Sequence, residues 1–184
     1  MSKLKSLAVY CGHQFGKNLQ FERDAVRIGK LLAENKIRMI FGGGNVGLMG
    51  ATATAALENG ARVIGVTTHN VVALQEPAHD KIELEIVDGV NERKQRMYEL
   101  SDGFIILPGG IGTLNEFTDI LTMQQIGEST KPLFFMNTEK FWEPFGCLFS
   151  AMRADGFIEH ADKYHVFVAD TPDDLFKQIL DYGK

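Results

Sequence analysis

The 184-residue chain is 45% hydrophobic and 23% charged, a balance that fits one folded domain with a sizeable core and excludes a disordered or membrane-embedded protein. Its formal net charge of −5 argues against nucleic-acid binding through a general basic surface, yet leaves room for a local basic pocket that takes a phosphorylated small molecule. Cys11 and Cys147 show neither CxxC spacing nor a disulfide framework, and read as reduced thiols of a cytoplasmic protein.

The opening stretch MSKLKSLAVYCG carries two lysines, but its apolar run is too short for a signal peptide or a membrane span. It runs straight into a first strand, Ser6–Cys11. A helical pattern at 19–35 follows, then a strand at Arg38–Phe41, a helix at 47–58 and a strand at Arg62–Thr67. Residues 69–81 are irregular, a loop over the strand ends or a short surface helix. Then come strand Ile82–Val87, helix 91–101, strand Gly103–Leu107, helix 113–126, strand Pro132–Met136, helix 139–154, a short strand Tyr164–Val168 and helix 172–182. Strands this apolar are expected to be covered on both faces. The βα alternation over 1–184 therefore predicts one α/β domain, a Rossmann-like doubly wound parallel sheet with helices on both faces.

Three strand ends run into small-residue turns, YCGHQFG, FGGGNVGLMG and LPGGIGT, which such a sheet gathers on one rim where ligands sit. Gly42-Gly43-Gly44-Asn45-Val46-Gly47 satisfies G-x-G-x-x-G, but the next strand ends in Thr67-Thr68-His69 with no carboxylate for a ribose. A dinucleotide site is therefore disfavoured against a tight turn that a ligand can approach closely. Pro108 ends its strand because it has no N–H to give the ladder. After it, Gly109, Gly110 and Gly112 allow positive φ and remove side-chain bulk, with Thr113 as the helix N-cap. Bare N–H groups at a helix start make a seat for phosphate, although a purely structural turn is the competing reading. No Gly-Lys-Ser/Thr follows, so this is not a Walker A loop.

Glu116 stands three residues beyond Thr113, the spacing of a capping box. The same position also aims a carboxylate at the ligand rim, where it would take hydroxyls or a water and not phosphate. Upstream, Asn91-Glu92-Arg93-Lys94-Gln95-Arg96 opens a helix with cations that oppose its dipole. Arg93 and Lys94 lie close enough to the strand end to reach the rim, whereas Arg96 reads as surface charge. A phosphate seat beside a carboxylate and a cation describes a site for a ribose 5′-phosphate. The five histidines lack metal-site spacing. Met97, Met123, Met136 and Met152 read as packing.

VYCG, FGGGNVGLMG, ERK and PGGIGTLNE occur in the order and at about the spacing of the LOG ("lonely guy") family, and the chain resembles that family over nearly its whole length, KPLFFMN and VADTPDDL included. The PGGxGTxxE signature places the family's glutamate on Glu116, and its functional arginine falls on Arg93. The resemblance implies hydrolysis of the N-glycosidic bond of a nucleoside 5′-monophosphate, AMP or an N6-substituted AMP, without metal or organic cofactor, by a homodimer or higher homo-oligomer. It implies Arg93 and Glu116 as the catalytic pair. Pro108, Gly109, Gly110, Gly112 and Thr113 would lie at the phosphate, with Gln14, Gly43, Gly44, Val90 and Lys94 around the rest of the nucleotide. Lysine decarboxylation, an older label for such proteins, finds no support, since nothing here makes a pyridoxal phosphate site. Departures cluster at the base end: His13-Gln14 for two serines, Val90-Asn91 for Met-His, Asn115 for a second acid and Met123 for a tryptophan. A non-hydrolytic carrier, such as the molybdenum-cofactor carrier proteins, is the alternative function on this fold.

Overall fold

A computed structural model of the protein describes residues 4–74 and 79–183. Among the described residues, seven strands make one sheet: β1 Ser6–Tyr10, β2 Arg38–Phe41, β3 Val63–Thr68, β4 Glu83–Val87, β5 Gly103–Ile106, β6 Leu133–Met136 and β7 Val166–Ala169. Their order is β4-β3-β2-β1-β5-β6-β7 and every pairing is parallel. The helices are α1 Leu19–Glu34, α2 Gly47–Glu58, α3 His69–Leu74, α4 Val90–Leu100, α5 Ile111–Gln125, α6 Glu143–Ala154 and α7 Pro172–Asp181.

Alternation along the strands builds two cores. Leu7 and Val9 of β1 join Met39, Phe41, Ile105 and Phe134 under α1, α2 and α7. Ala8 and Tyr10 point the other way and join Ile40, Val66, Phe104 and Phe135, beneath Met97 of α4 and Phe117, Ile120 and Leu121 of α5. Crossover helices thus cover both faces, as the βα pattern predicts. Strand order reverses between β1 and β5, so the turns after these two strands flank the crevice in which such sheets hold ligands.

Four expectations need correction. The edge strands are not covered on both faces: Val166 and Val168 of β7 are exposed, and β4 alternates charged and apolar residues. Its Glu85 pairs with Arg96 at 2.6 Å, which bears out Arg96 as surface charge. The helix expected from 139 begins at Glu143 instead, because Glu139 and Lys140 take positive φ of 52° and 62° and Pro144 then opens the helix. The strand expected at Tyr164–Val168 is shifted, since its pairing with β6 begins at Val166. Within 69–81 the chain forms the short helix α3, and residues 75–78 lie outside the described residues. Met97 and Met136 are fully buried, whereas Met152 on α6 is exposed and is not packing. Both cysteines are free thiols.

Candidate active site

The turns after β1, β2 and β5 converge as the sequence predicts, and backbone contacts lock them together. The Gly12 N–H donates to the Pro108 carbonyl at 3.0 Å, joining the β1 and β5 turns. Gly47 opens α2 at φ 61°, and a Cβ there would come 2.3 Å from the His13 carbonyl carbon. The start of α2 therefore presses directly on the β1 turn, beside Gln14.

Arg93 sits in the first turn of α4, and its side chain lies across the end of β2. A Cβ on Gly42 would meet its Nη2 at 2.0 Å, so the first glycine of the triple-glycine run makes the channel through which the guanidinium passes. Nε donates to the Val66 carbonyl at 2.9 Å and Nη2 to the Gly42 carbonyl at 3.4 Å. The third nitrogen, Nη1, lies 3.6 Å from Glu116 Oε1. That is an ion pair too long for a direct hydrogen bond. The two side chains are only 16% and 13% exposed, so they face each other in a partly dry crevice.

Glu116 is not used as a cap. The N-cap of α5 is Gly110, in an extended conformation, and the Leu114 N–H closes the first turn on its carbonyl at 3.0 Å. The helix therefore starts at Ile111, and Thr113, expected at the N-cap, is buried inside the first turn. Its hydroxyl packs over Gly109, where a Cβ would meet Oγ1 at 2.1 Å. With Thr113 inside the helix the capping box cannot form, and the Glu116 carboxylate turns to Arg93 instead. None of Gly109, Gly110 and Gly112 takes positive φ. Gly109 is needed for space, and Gly110 and Gly112 face open space. The N–H groups of Ile111, Gly112 and Thr113 precede the first intrahelical bond, at the positive end of the helix dipole, an arrangement suited to an anion.

Burial pushes the Glu116 carboxyl up to about 7, against the pull of Arg93 and then Lys94, with Asp119 adding to the rise. Burial, reinforced by Glu116, also raises the Tyr10 phenol and the Cys11 thiol, so both stay neutral near neutrality. Lys94 Nζ bridges from α4 to α5, 2.5 Å from Asp119 Oδ2 and 2.9 Å from Asn115 Oδ1. Next to that bridge, Tyr10, Lys94, Tyr98, Glu116, Ile120 and Met123 line a cavity of about 250 Å³. A more spacious apolar groove of about 790 Å³ lies under α6, lined by Phe135, Trp142, Phe145 and Phe149, and it contains none of the residues that flank Glu116.

The fold thus brings Arg93 and Glu116 together, sets Gly42 beside Arg93 and Gly43 against Thr67 and Leu84, and heads α5 with the Pro108–Thr113 turn; no described contact ties Gly44 to Arg93. Lys94 is close by but engaged. Gln14 lies on the β1 turn, and Val90, 60% exposed, heads α4; no described contact ties either to the Arg93–Glu116 pair. Tyr10, Asp119 and the Val66 carbonyl join the site without a local signal in the sequence. A substitution pair separates the two kinds of glycine. Gly109→Ala is expected to displace Thr113 and raise KM for a phosphorylated substrate about tenfold or more, while Gly110→Ala leaves the melting temperature unchanged; steady-state kinetics and thermal unfolding read the difference.

Residues 49–179 match the family model described as "Possible lysine decarboxylase". A cytokinin riboside 5′-monophosphate phosphoribohydrolase of Rhodococcoides fascians is 38% identical over 89% of this chain and 83% of its own. One from Oryza sativa subsp. japonica, named LOG, is 33% identical over 98% of this chain and 75% of its own. This chain belongs to the LOG family. Among solved structures, the molybdenum cofactor binding protein of Rippkaea orientalis superposes with a TM-score of 0.69 at 21% identity, over 95% of this chain and 94% of that one. The carrier protein of Chlamydomonas reinhardtii gives 0.68 at 20% identity, over 95% and 97%. At these identities the likeness is one of fold. The family model begins at Met49, so Arg93 and the PGGIGTLNE stretch lie within it, and the match to the Oryza sativa relative, over 98% of this chain, takes in nearly all the rest.

Proposed function

We propose that this LOG-family chain hydrolyses the N-glycosidic bond of a nucleoside 5′-monophosphate, AMP or an N6-substituted AMP, releasing the base and ribose 5-phosphate. The observation that carries this reading is the half-buried Arg93–Glu116 pair, 3.6 Å apart, beside the unobstructed amino end of α5. Phosphate would dock on the first-turn N–H groups of Ile111, Gly112 and Thr113 in α5, with Gly110 and Gly112 leaving the approach open. That contact, remote from the broken bond, positions the ribose against Glu116. As the bond breaks, its electron pair leaves with the base and positive charge grows on the ribose, where the Glu116 carboxylate stabilises it or orients the attacking water. Water supplies the new C–O bond and, overall, the proton that the base takes. Arg93, clamped by two carbonyls, orients Glu116 and the ribose hydroxyls. The chemistry uses no metal or organic cofactor.

Self-association fits the surface. Helix α6 is largely apolar, yet none of its residues is buried, and Leu148 and Met152 stand exposed on it. A helix of that composition is stable when a second surface covers it, so a homodimer or higher homo-oligomer is the expected state. Free thiols at Cys11 and Cys147 fit a reducing cytoplasm, and no helix among the described residues is long and apolar enough to cross a membrane.

The test is incubation of the purified protein with AMP, N6-substituted AMP and other monophosphates, followed by chromatography. Free base and ribose 5-phosphate in equal amounts are expected. No base from any monophosphate, with tight retention of a molybdenum cofactor, would turn the assignment to a carrier.

A further inference from the structure

Past Glu116 the crevice continues into the cavity of about 250 Å³ between α4 and α5. No residue of the Pro108–Thr113 turn lines that cavity, so it is separate from the phosphate seat. At a rise of about 1.5 Å per residue, Glu116 stands roughly 7.5 Å along α5 from Ile111, and Ile120 in the cavity wall about 6 Å beyond it. Phosphate, ribose and base follow one another in that order, and on that scale, in a nucleoside 5′-monophosphate. With phosphate at the head of α5 and ribose at Glu116, the base falls in this cavity.

Tyr10 lines the same cavity from the end of β1. The residue is only 2% exposed and its ring stacks on Phe104, centroids 5.5 Å apart, which fixes where the hydroxyl sits. That hydroxyl makes no hydrogen bond among the described residues. It is also absent from the unpartnered polar atoms sealed away from all surface, which are Arg38 Nε, Thr67 Oγ1, Trp142 Nε1 and Gln178 Oε1. The phenol therefore opens on the cavity. Burial, reinforced by Glu116, keeps it protonated, so it has a hydrogen to give. Lys94, the cation in the lining, is engaged by Asp119 and Asn115 and offers no free charge to an anion. Tyr98, Ile120 and Met123 add apolar walls. A neutral, flat ring with an acceptor in its plane meets all of these conditions.

We propose that Tyr10 is a further catalytic residue, whose phenol donates a hydrogen bond to a ring nitrogen, N3 or N7, of the departing purine. The inference rests on the hydrolase reading of the Arg93–Glu116 pair. As the bond between C1′ and N9 breaks, its electron pair passes into the base and negative charge spreads over the ring nitrogens. The hydrogen bond from Tyr10 then strengthens, which favours the transition state over the bound substrate. Tyr10 keeps its proton throughout. The base takes its proton from the water whose oxygen bonds to C1′. Phenylalanine would fill the same space without leaving a buried hydroxyl unbonded, so only a ligand gives this hydroxyl a use.

Tyr10→Phe in the full chain removes the donor and keeps the ring. With AMP, kcat for base release should fall about a hundredfold and affinity about threefold, while the melting temperature stays at or above the parent's because no protein contact is lost. Two analogues, 3-deaza-AMP and 7-deaza-AMP, locate the acceptor. The substitution should have no effect on the analogue that lacks it, and should slow the other as it slows AMP. Parental kcat and affinity for AMP in Tyr10→Phe would overturn the proposal. An equal loss on AMP and both analogues, the mark of a merely structural role, would do the same. If the parent binds AMP but releases no base, the hydrolase reading fails and affinity alone decides the contact: weaker binding by Tyr10→Phe upholds it, unchanged binding rejects it. A parent that neither binds nor cleaves a purine monophosphate overturns both.

Discussion

Glu116→Gln is expected to lower kcat for base release at least about a thousandfold while nucleotide binding is retained, because the substitution keeps the shape and removes the charge that the transition state needs. Equilibrium binding of AMP measured beside turnover separates the two effects. The wild-type pH profile should carry the same signature. Burial holds the Glu116 carboxyl near 7, so a mechanism that uses the carboxylate gains activity as pH rises through about 7. A profile falling over that range would assign Glu116 as a proton donor instead. Stability runs the other way. Between the unfolded value of 4.5 and about 7, the folded protein keeps a proton that the unfolded chain has released. Stability linked to this group is therefore full below about pH 4.5 and is lost as pH rises through 7, by up to ~3 kcal/mol. Glu116→Gln escapes that loss. Its melting temperature should exceed the parent's at pH 8 and match it more closely at pH 5.

Arg93→Lys should cost about a hundredfold in kcat although charge is conserved, since one ammonium cannot hold the Val66 and Gly42 carbonyls and still reach Glu116. Removing the charge outright, as in Arg93→Met, takes away the strongest influence holding the Glu116 pKa down. The acidic limb of the profile should then move above 7 in Arg93→Met and stay closer to the parent in Arg93→Lys. Arg93→Met also leaves the Val66 carbonyl without its donor, for a loss of about 1–3 kcal/mol in denaturant unfolding. An Arg93→Lys enzyme with parental kcat would show that the fork geometry is irrelevant to the reaction.

The sequence carried the alternation of apolar strands and amphipathic helices, because β periodicity and helix periodicity are local properties of the side chains. From these came the parallel sheet, and from the sheet the common rim of the three glycine turns. Pairing Arg93 with Glu116 rested on the family pattern. Their positions lie in separate βα units, and nothing local says that one guanidinium would thread past Gly42 to reach the other.

What the sequence could not fix was the competition at each helix start. T-x-x-E fits a capping box, yet the packing of Thr113 over Gly109 draws it into the helix and leaves Glu116 for Arg93. Lys94 has cationic chemistry wherever it stands; only the approach of α4 to α5 commits it to Asp119 and Asn115. The same holds for the proton on Glu116, whose affinity depends on how much water the neighbouring elements exclude. By itself the sequence determined the fold class, the glycine turns and which residues carry charge. Tertiary structure alone decided which charges meet and how dry they are, because electrostatic energy depends on distance and surrounding dielectric, neither of which is encoded in any short stretch of chain.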